Sequence, residues 1–457
     1  MTSNTATIEA RPLSDAEKAT EDAVFKKLTW RILPFLFLCF FAAYLDRVNV
    51  GFAKAAMSSD LKFSDTAYGI GAGIFFLGYF LFEVPSNLLM HRIGARRTLQ
   101  RIMLLWGVTS SVMMFVNSEL TFYILRFLLG AFEAGFLPGV VLYFTYWYPS
   151  HRRGRIIALL ISGVAISGLI GAPLSGAILS FTDGAAGLAG WQWMFLLEGV
   201  PAIVLSFLVF RILADKPDDA TWLTPQEKTC VRLALANDAE RTAQTHHYFG
   251  AALRDFRVYA LCCIYFTTAS GAYLISFWLP TLIKKLTIGS GIAPWQLGFI
   301  IAIPYLCAAV SMVLMAAHSD RTGERRWHIV LSGLVGVAAL LLTTQVSSLF
   351  AAVALFSVAT SAILSMSPLF WTLPTKLLTG VAAAGGIALI NSVGNLAGFV
   401  SPIMVGVISD ATGSLTGGLW AISGLLVVGC VLVLSVVRDG GGREAASPGV
   451  SGVVERS

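Results

Sequence analysis

Apolar residues run through this chain in blocks, each long enough for the roughly 20 residues that carry a helix across a bilayer. Twelve blocks can be drawn: 32–55, 67–90, 99–117, 120–146, 154–180, 193–213, 258–282, 296–317, 328–346, 350–373, 381–408 and 416–437. The breaks between them are short, except for a polar stretch at about 214–256 that divides the series six and six. Backbone facing lipid must satisfy its hydrogen bonds internally, so such blocks predict helices. The pattern predicts an all-α membrane protein of twelve transmembrane helices in two six-helix bundles. The expected divisions are a tail at 1–30, a first bundle at 31–213, a central loop at 214–256, a second bundle at 257–437 and a tail at 438–457. Within the central loop, Thr224-Pro225-Gln226-Glu227 predicts a helix start.

Composition fits a lipid setting. The chain is 56% hydrophobic and 13% charged, against about a quarter charged in soluble domains. With the N-terminus placed in the cytoplasm, only Lys54, Lys62, Lys284 and Lys285 fall on the outer side, and Arg47 and Arg126 fall within blocks. Every other Lys and Arg lies on the inner side, as the positive-inside rule requires with both termini cytoplasmic. The net charge of +6 is thereby explained as a topology signal and calls for no nucleic acid. Residues 1–30 hold no short apolar core, so no cleavable signal is expected and the first block inserts the chain. The expected place is the cytoplasmic (inner) membrane, and the expected state a monomer. Five of the six cysteines lie inside blocks and Cys230 lies in the central loop, with no spacing of a metal site or disulfide framework. Neither metal nor cofactor is implied.

Four charges fall where lipid tolerates them least: Asp46 and Arg47 in the first block, Arg126 and Glu133 in the fourth. Each costs roughly 2.5–3.5 kcal/mol at a bilayer centre even on lenient scales, and such groups mark paths for ions or charged solutes. Arg126 and Glu133 are seven apart, on one helix face but about 10 Å apart along it, too far for a direct bond. Asp46 and Arg47 point about 100° apart, so all four need partners on other helices. Setting the first and fourth spans side by side brings Arg47 near Glu133 or Asp46 near Arg126, with Tyr44 on the face of Arg47. Protonating both acids leaves two arginines uncompensated, and arginine's planar fork suits a carboxylate. The implied partners are a small organic anion and a proton, with sodium as the rival coupling ion. A static interhelical salt-bridge network is the structural alternative.

The second half has no comparable buried charge. It offers Tyr265, Tyr273, Ser365, Ser367, Trp371, Asn391 and Asn395, with both asparagines on one face and free to meet hydroxyl groups or neighbouring helices. In the second block Tyr79 reads as a cavity residue, whereas Glu83 and Glu198 read as structural. No G-x-S-x-G, H-E-x-x-H or Walker loop occurs, and all six histidines lie at or beyond block ends, so an enzyme is not expected. Without a Walker loop, any transport would draw on a gradient.

The chain also repeats. His91-Arg92-Ile-Gly94-Ala-Arg96-Arg97 follows the second block, and Asp320-Arg321-Thr-Gly323-Glu-Arg325-Arg326 follows the eighth. This loop resembles the signature of the major facilitator superfamily, as do Arg126-Phe-Leu-Leu-Gly130 and the Gly/Pro-rich run Gly168–Gly176. Within it, Tyr44-Leu-Asp46-Arg47-Val-Asn49-Val-Gly51-Phe52, Gly78-Tyr79-Phe-Leu-Phe-Glu83-Val-Pro85-Ser86-Asn87, Trp191-Gln-Trp193-Met-Phe-Leu-Leu-Glu198-Gly199 and Ala384-Gly385-Gly386-Ile-Ala-Leu-Ile-Asn391-Ser-Val-Gly394-Asn395 resemble the anion:cation symporter family, near its tartrate and hydroxyphenylacetate permeases. The resemblance implies two pseudo-symmetric bundles with a midplane site and import of a hydroxy-dicarboxylate, sugar acid or aromatic carboxylate by proton symport. It implies proton coupling at Asp46 and Glu133, and substrate contacts at Arg47, Arg126, Tyr44, Tyr79, Trp371 and Asn391. Arg92, Asp320 and Arg321 would gate. Two departures stand out: Asn87 replaces a glycine and His91 the acid that normally engages an arginine, so the first-half latch is expected to be altered. A nutrient sensor on the same fold is the other function class.

Overall fold

A computed structural model describes residues 15–242, 256–377 and 381–437 of the chain. The expected tail at 438–457 lies outside the described residues, as do residues 1–14 of the first tail and the end of the central loop, while residues 15–30 form the start of a helix. The first bundle holds α1 (Asp15–Leu61), α2 (Asp65–Ile93), α3 (Ala95–Val112), α4 (Glu119–Glu133), α5 (Phe136–Thr145), α6 (Ser150–Ile161), α7 (Gly163–Phe181) and α8 (Gly190–Ile212). After the central helix α9 (Pro225–Thr242), the second holds α10 (Phe256–Leu286), α11 (Pro294–Thr322), α12 (Arg326–Thr343), α13 (Leu349–Phe370), α14 (Thr372–Leu377), α15 (Val381–Thr412) and α16 (Thr416–Val436).

Among the described residues, eleven helical stretches are long and apolar enough to cross a membrane. The expected third block is the one outside that set. Its helix α3 carries Arg96, Arg97 and Arg101 in its first two turns and passes into a short 3-10 turn at Met113–Phe115. Two expected blocks are each made of two helical pieces: α4 and α5 part at Ala134 and Gly135, and α6 and α7 part at Ser162. Side chains set the helix starts. The Ser64 hydroxyl accepts from the Ala67 amide at 3.0 Å to begin α2, and Ser118 and Thr121 cap α4 reciprocally.

The bundles meet through α2 with α15, α7 with α11 and α1 with α10. Glycines make these contacts close. A Cβ on Gly69 would stand 2.4 Å from the Pro402 carbonyl oxygen, one on Gly176 2.5 Å from that of Pro294, and one on Gly298 2.4 Å from that of Ala172. Polar contacts reinforce the same end. Lys54 pairs with Asp65 at 2.6 Å, and Asp65 accepts from Ser409 of the second bundle at 2.5 Å. Asp410 accepts from the Asp65 and Thr66 amides at 3.1 and 2.8 Å. The bundles are thus sealed at the end that carries the α1–α2 turn.

The central helix belongs to the first bundle by contact. Thr224 and Glu227 cap α9 reciprocally at 2.8 and 3.2 Å, as the sequence predicts. Lys27 of α1 holds Glu227, Arg153 and Ser150 hold Asp238, and Trp222 stacks on Trp147 with centroids 5.9 Å apart. The Lys27 hydrogen bond, then the Thr224 amide, keeps the Glu227 carboxyl below its ordinary range. A depressed folded-state value means stability present above the unfolded pKa of about 4.3 and lost as pH falls through the folded one.

Two outcomes follow from these contacts. Hydrogen exchange in α9 should rise on acidification below about pH 4 before exchange in α3 or α8 does; uniform exchange across all three would show that the ion pairs do not dock α9. Gly69→Leu should force the sealed end apart, read as a longer distance between spin labels at Lys62 and Ala411. An unchanged distance would mean that α2 and α15 can repack.

Candidate functional site

Asp46 and Arg47 are neighbours on α1 that serve different surroundings. Arg47 pairs through Nη2 with Glu133, the last residue of α4. Glu133 is 1% exposed, whereas the Arg47 side chain retains 18%. The guanidinium lies 5.9, 5.3 and 5.2 Å from the rings of Tyr44, Phe75 and Tyr79, distances at which a cation is attracted to an aromatic face. Asp46 instead turns into α3. Its carboxylate accepts from the Ser110 hydroxyl at 2.6 Å and from the Trp106 indole at 3.2 Å. Both donors are neutral, so Asp46 is buried without a cation bonded to it.

Arg126 is fully buried, and backbone carbonyls hold it. Nε donates to Gly71 at 3.2 Å, and Nη2 to Ala72 at 3.3 Å and Arg47 at 3.5 Å. The Phe75 ring lies 5.0 Å from its guanidinium. Of the two pairings the sequence allowed, Arg47 with Glu133 forms and Asp46 with Arg126 does not. Arg126 ties α4 to the backbones of α1 and α2, while Arg47 is the arginine with exposure left for a ligand.

The helix break in the fourth span bears directly on Glu133. Ala134 leaves helical geometry at ψ 134° and Gly135 takes φ +85°, which favours glycine. A side chain there would also meet Ser86, whose hydroxyl oxygen lies 2.5 Å from an ideal Cβ. The break leaves Glu133 at the negative end of the α4 dipole, with Arg47 as its compensating charge. Reading block 120–146 as one helix missed this; Gly135 followed by Pro138 was the available signal.

The second bundle supplies an aromatic wall. Tyr265 stacks on Phe370 with centroids 4.9 Å apart and meets Trp371 edge-on at 4.8 Å. Tyr273 meets Phe76 of the first bundle at 4.5 Å. Trp371 is half-buried just past the end of α13, and Asn391 is half-buried on α15 three residues before Gly394. Gly394 sits so close to Tyr265 that an ideal Cβ would come within 2.0 Å of its ring. Glu198, read from sequence as structural, is 1% exposed and accepts from Ser175 at 2.7 Å.

Arg92, Asp320 and Arg321, expected from sequence to gate, lie at the end opposite the seal. Asp320 pairs with Arg325 inside its own loop, and Arg325 donates to Ser319 at 2.6 Å. Arg321 and Arg92 are exposed; the side chain of His91 lies outside the described residues. In the first-half loop the Arg96 amide donates to Asp215 at 3.0 Å, so an acid from beyond α8 supports that turn. The described residues contain no group of three or more His, Cys, Asp or Glu able to hold a metal.

Two helical bundles around a buried charge cluster define a membrane transporter. The profile of the Major Facilitator Superfamily matches residues 36–402, and the chain belongs to that family. A protein of Agrobacterium vitis named "Putative tartrate transporter" is 47% identical over 92% of each chain. The "Quinolone resistance transporter" of Acinetobacter baumannii is 40% identical over 91% of this chain and 95% of its own. In fold, the chain resembles a bacterial homologue of the human lysosomal transporter Spinster, solved in an inward-facing and occupied conformation. The TM-score is 0.73 at 16% identity, covering 89% of this chain and 96% of that one.

The carbonyl cage makes Arg126 sensitive to shape as well as charge. Arg126→Lys keeps the charge but loses the fork, and hydrogen bonds to charged groups contribute about 1.5–3 kcal/mol each. The variant should melt well below wild type in detergent. A wild-type melting temperature would show that the cage does not depend on the guanidinium.

Proposed function

We propose that the protein is a secondary active transporter that imports a small organic anion with protons by alternating access. The observation that carries this reading is the Arg47–Glu133 pair. A partly exposed arginine among aromatic rings is held by a carboxylate that a single proton would neutralise. Protonating Glu133 releases Arg47, and its fork then binds a substrate carboxylate through both oxygens. Losing that proton restores the pair and expels the anion, so proton and substrate are bound and released together. Asp46 is the second proton site, and Arg126 positions α1, α2 and α4 around the chamber. Tyr44, Tyr79, Trp371 and Asn391 face the rest of the substrate, the last supplying an amide for hydroxyl groups.

With both termini cytoplasmic in the inner membrane, the sealed end faces outward and the conformation is open inward. Breaking the Lys54–Asp65–Ser409 contacts belongs to the outward turn of the cycle. Arg92, Asp320 and Arg321 then act at the cytoplasmic end when it closes. The name of the Agrobacterium vitis relative, "Putative tartrate transporter", supports a hydroxy diacid as the substrate class.

The test is uptake of labelled tartrate, sugar acids and aromatic carboxylates into proteoliposomes, with pH gradient and potential imposed separately. An inward proton gradient should drive accumulation of one class. Glu133→Gln should abolish gradient-driven accumulation while exchange of labelled for unlabelled substrate persists, and Arg47→Ala should abolish both. Accumulation that follows sodium and ignores pH would overturn proton coupling. Binding without exchange would identify a sensor.

A further inference from the structure

We propose that Glu198 is a further proton-binding residue, sharing one proton with Asp46 across Asn49 in the interior of the first bundle. The proposal deepens the proton-coupled reading above and rests on it for its role in transport. The geometry brings four polar side chains together between α1, α3, α7 and α8. Asp46 and Asn49 are three apart on α1, hence on one face, and Glu198 projects from α8, which packs on α1, α3 and α7. Asp46, Asn49 and Ser175 are fully buried and Glu198 is 1% exposed.

The hydrogen bonding is incomplete in a specific way. Glu198 uses one oxygen for Ser175, and its other oxygen is unpaired. Asn49 lies close enough to Glu198 to interact, yet neither its amide nitrogen nor its amide oxygen makes a well-formed hydrogen bond. A buried side-chain amide with both ends unpaired is costly. Asp46 in turn lies within electrostatic range of Glu198 and Glu133. The groups facing this pair are acids and neutral donors, Glu133 from α4, Ser110 and Trp106 from α3 and Ser175 from α7, with the Arg126 guanidinium from α4 the cation in electrostatic range of Asp46. No cation bonds to either acid among the described residues.

Two ionised carboxylates in such a place would repel each other, and Arg126, which spends its hydrogen bonds on backbone carbonyls, bonds to neither. One proton between them leaves a single negative charge. It also suits an amide within reach of Glu198 and one helical turn from Asp46: in the shared-proton state Asn49 donates through Nδ2 to the ionised carboxylate and accepts through Oδ1 from the O–H of the protonated one. Removing the shared proton leaves Oδ1 with no donor, so Asn49 reports and couples both titrations. Asp46 faces α3, away from Arg47, so this pair stores its proton apart from the anion. The competing role for Glu198 is a permanently protonated brace for Ser175.

Infrared difference spectroscopy of the full chain in liposomes, titrated through pH without substrate, separates the two. In wild type the protonated-carboxyl band of the pair should change with pH by the amplitude of one group. Glu198→Gln and Asp46→Asn should each remove one band component and move the midpoint of the remaining acid by about one pH unit or more. Asn49→Leu keeps both acids and should shrink that mutual shift, and it carries the test if Glu198→Gln does not fold. A Glu198 component that stays constant across the titration, with an unmoved Asp46 midpoint, overturns the proposal. In transport, with labelled L-tartrate as probe, Glu198→Gln should keep exchange within about twofold and change the pH profile of gradient-driven uptake. An unchanged profile overturns the role in coupling. If Asp46→Asn and Glu133→Gln also leave gradient-driven uptake intact, the proton-symport reading has failed, and the infrared midpoints still decide whether the pair shares a proton.

Discussion

The first bundle is organised around the need to keep buried charge compensated where water is scarce. Asp46, Arg47, Arg126 and Glu133 are each mostly or wholly enclosed, and each is held differently. Arg47 has a carboxylate, Arg126 has three backbone carbonyls, and Asp46 has an indole and a hydroxyl. Replacing a buried ion pair with apolar side chains of the same volume often stabilises a protein, so packing alone gives no reason for four such groups here. In the cycle proposed above they supply a bistable element: one proton on Glu133 breaks its pair with Arg47, and an anion can restore balance.

The second bundle contributes shape. Its wall of Tyr265, Phe370, Trp371 and Tyr273 carries no buried charge, and glycines at 298 and 394 let neighbouring helices and rings come close. At the sealed end the same small residues bring backbones into contact across the bundles, with the Lys54, Asp65, Ser409 and Asp410 network laid over them. Contacts built from glycine and backbone carbonyls bind weakly per residue and can separate as a surface. That suits two rigid halves that must rock against each other, and it places the polar network as the part with distinct partners to exchange.

Much of this was legible in sequence for physical reasons. Blocks of apolar residues fix helix number closely because the bilayer sets their length. The capping residues Thr224 and Glu227 fixed the start of α9 because their mutual hydrogen bonds are local. The Arg47–Glu133 contact was one of two options that helix geometry left open. What the sequence could not settle was direction. A rotation of α1 decides which of two adjacent charges meets α4, and that rotation depends on long-range packing such as Trp106 against Phe136. The break after Glu133 was hidden by continuous hydrophobicity across block 120–146. The charge of Arg126 is visible in sequence, and the backbone carbonyls that hold it are not.

The separation of Asp46 from Arg47 bears on how coupling can be tight. If both acids lay beside the arginines, substrate arriving at Arg47 would displace each of them alike, and their protons would report the same event. In the proposed cycle Glu133 competes directly with the anion for Arg47, while Asp46 is held on the far side by its own donors on α3. A conformational change that alters the fit of α1 against α3 therefore changes the environment of Asp46 without touching the ligand. In that cycle one acid senses occupancy and the other senses conformation. A transporter that must move only when proton and anion are both present needs those two signals to be distinct, and the 100° turn between residues 46 and 47 of one helix is enough to separate them.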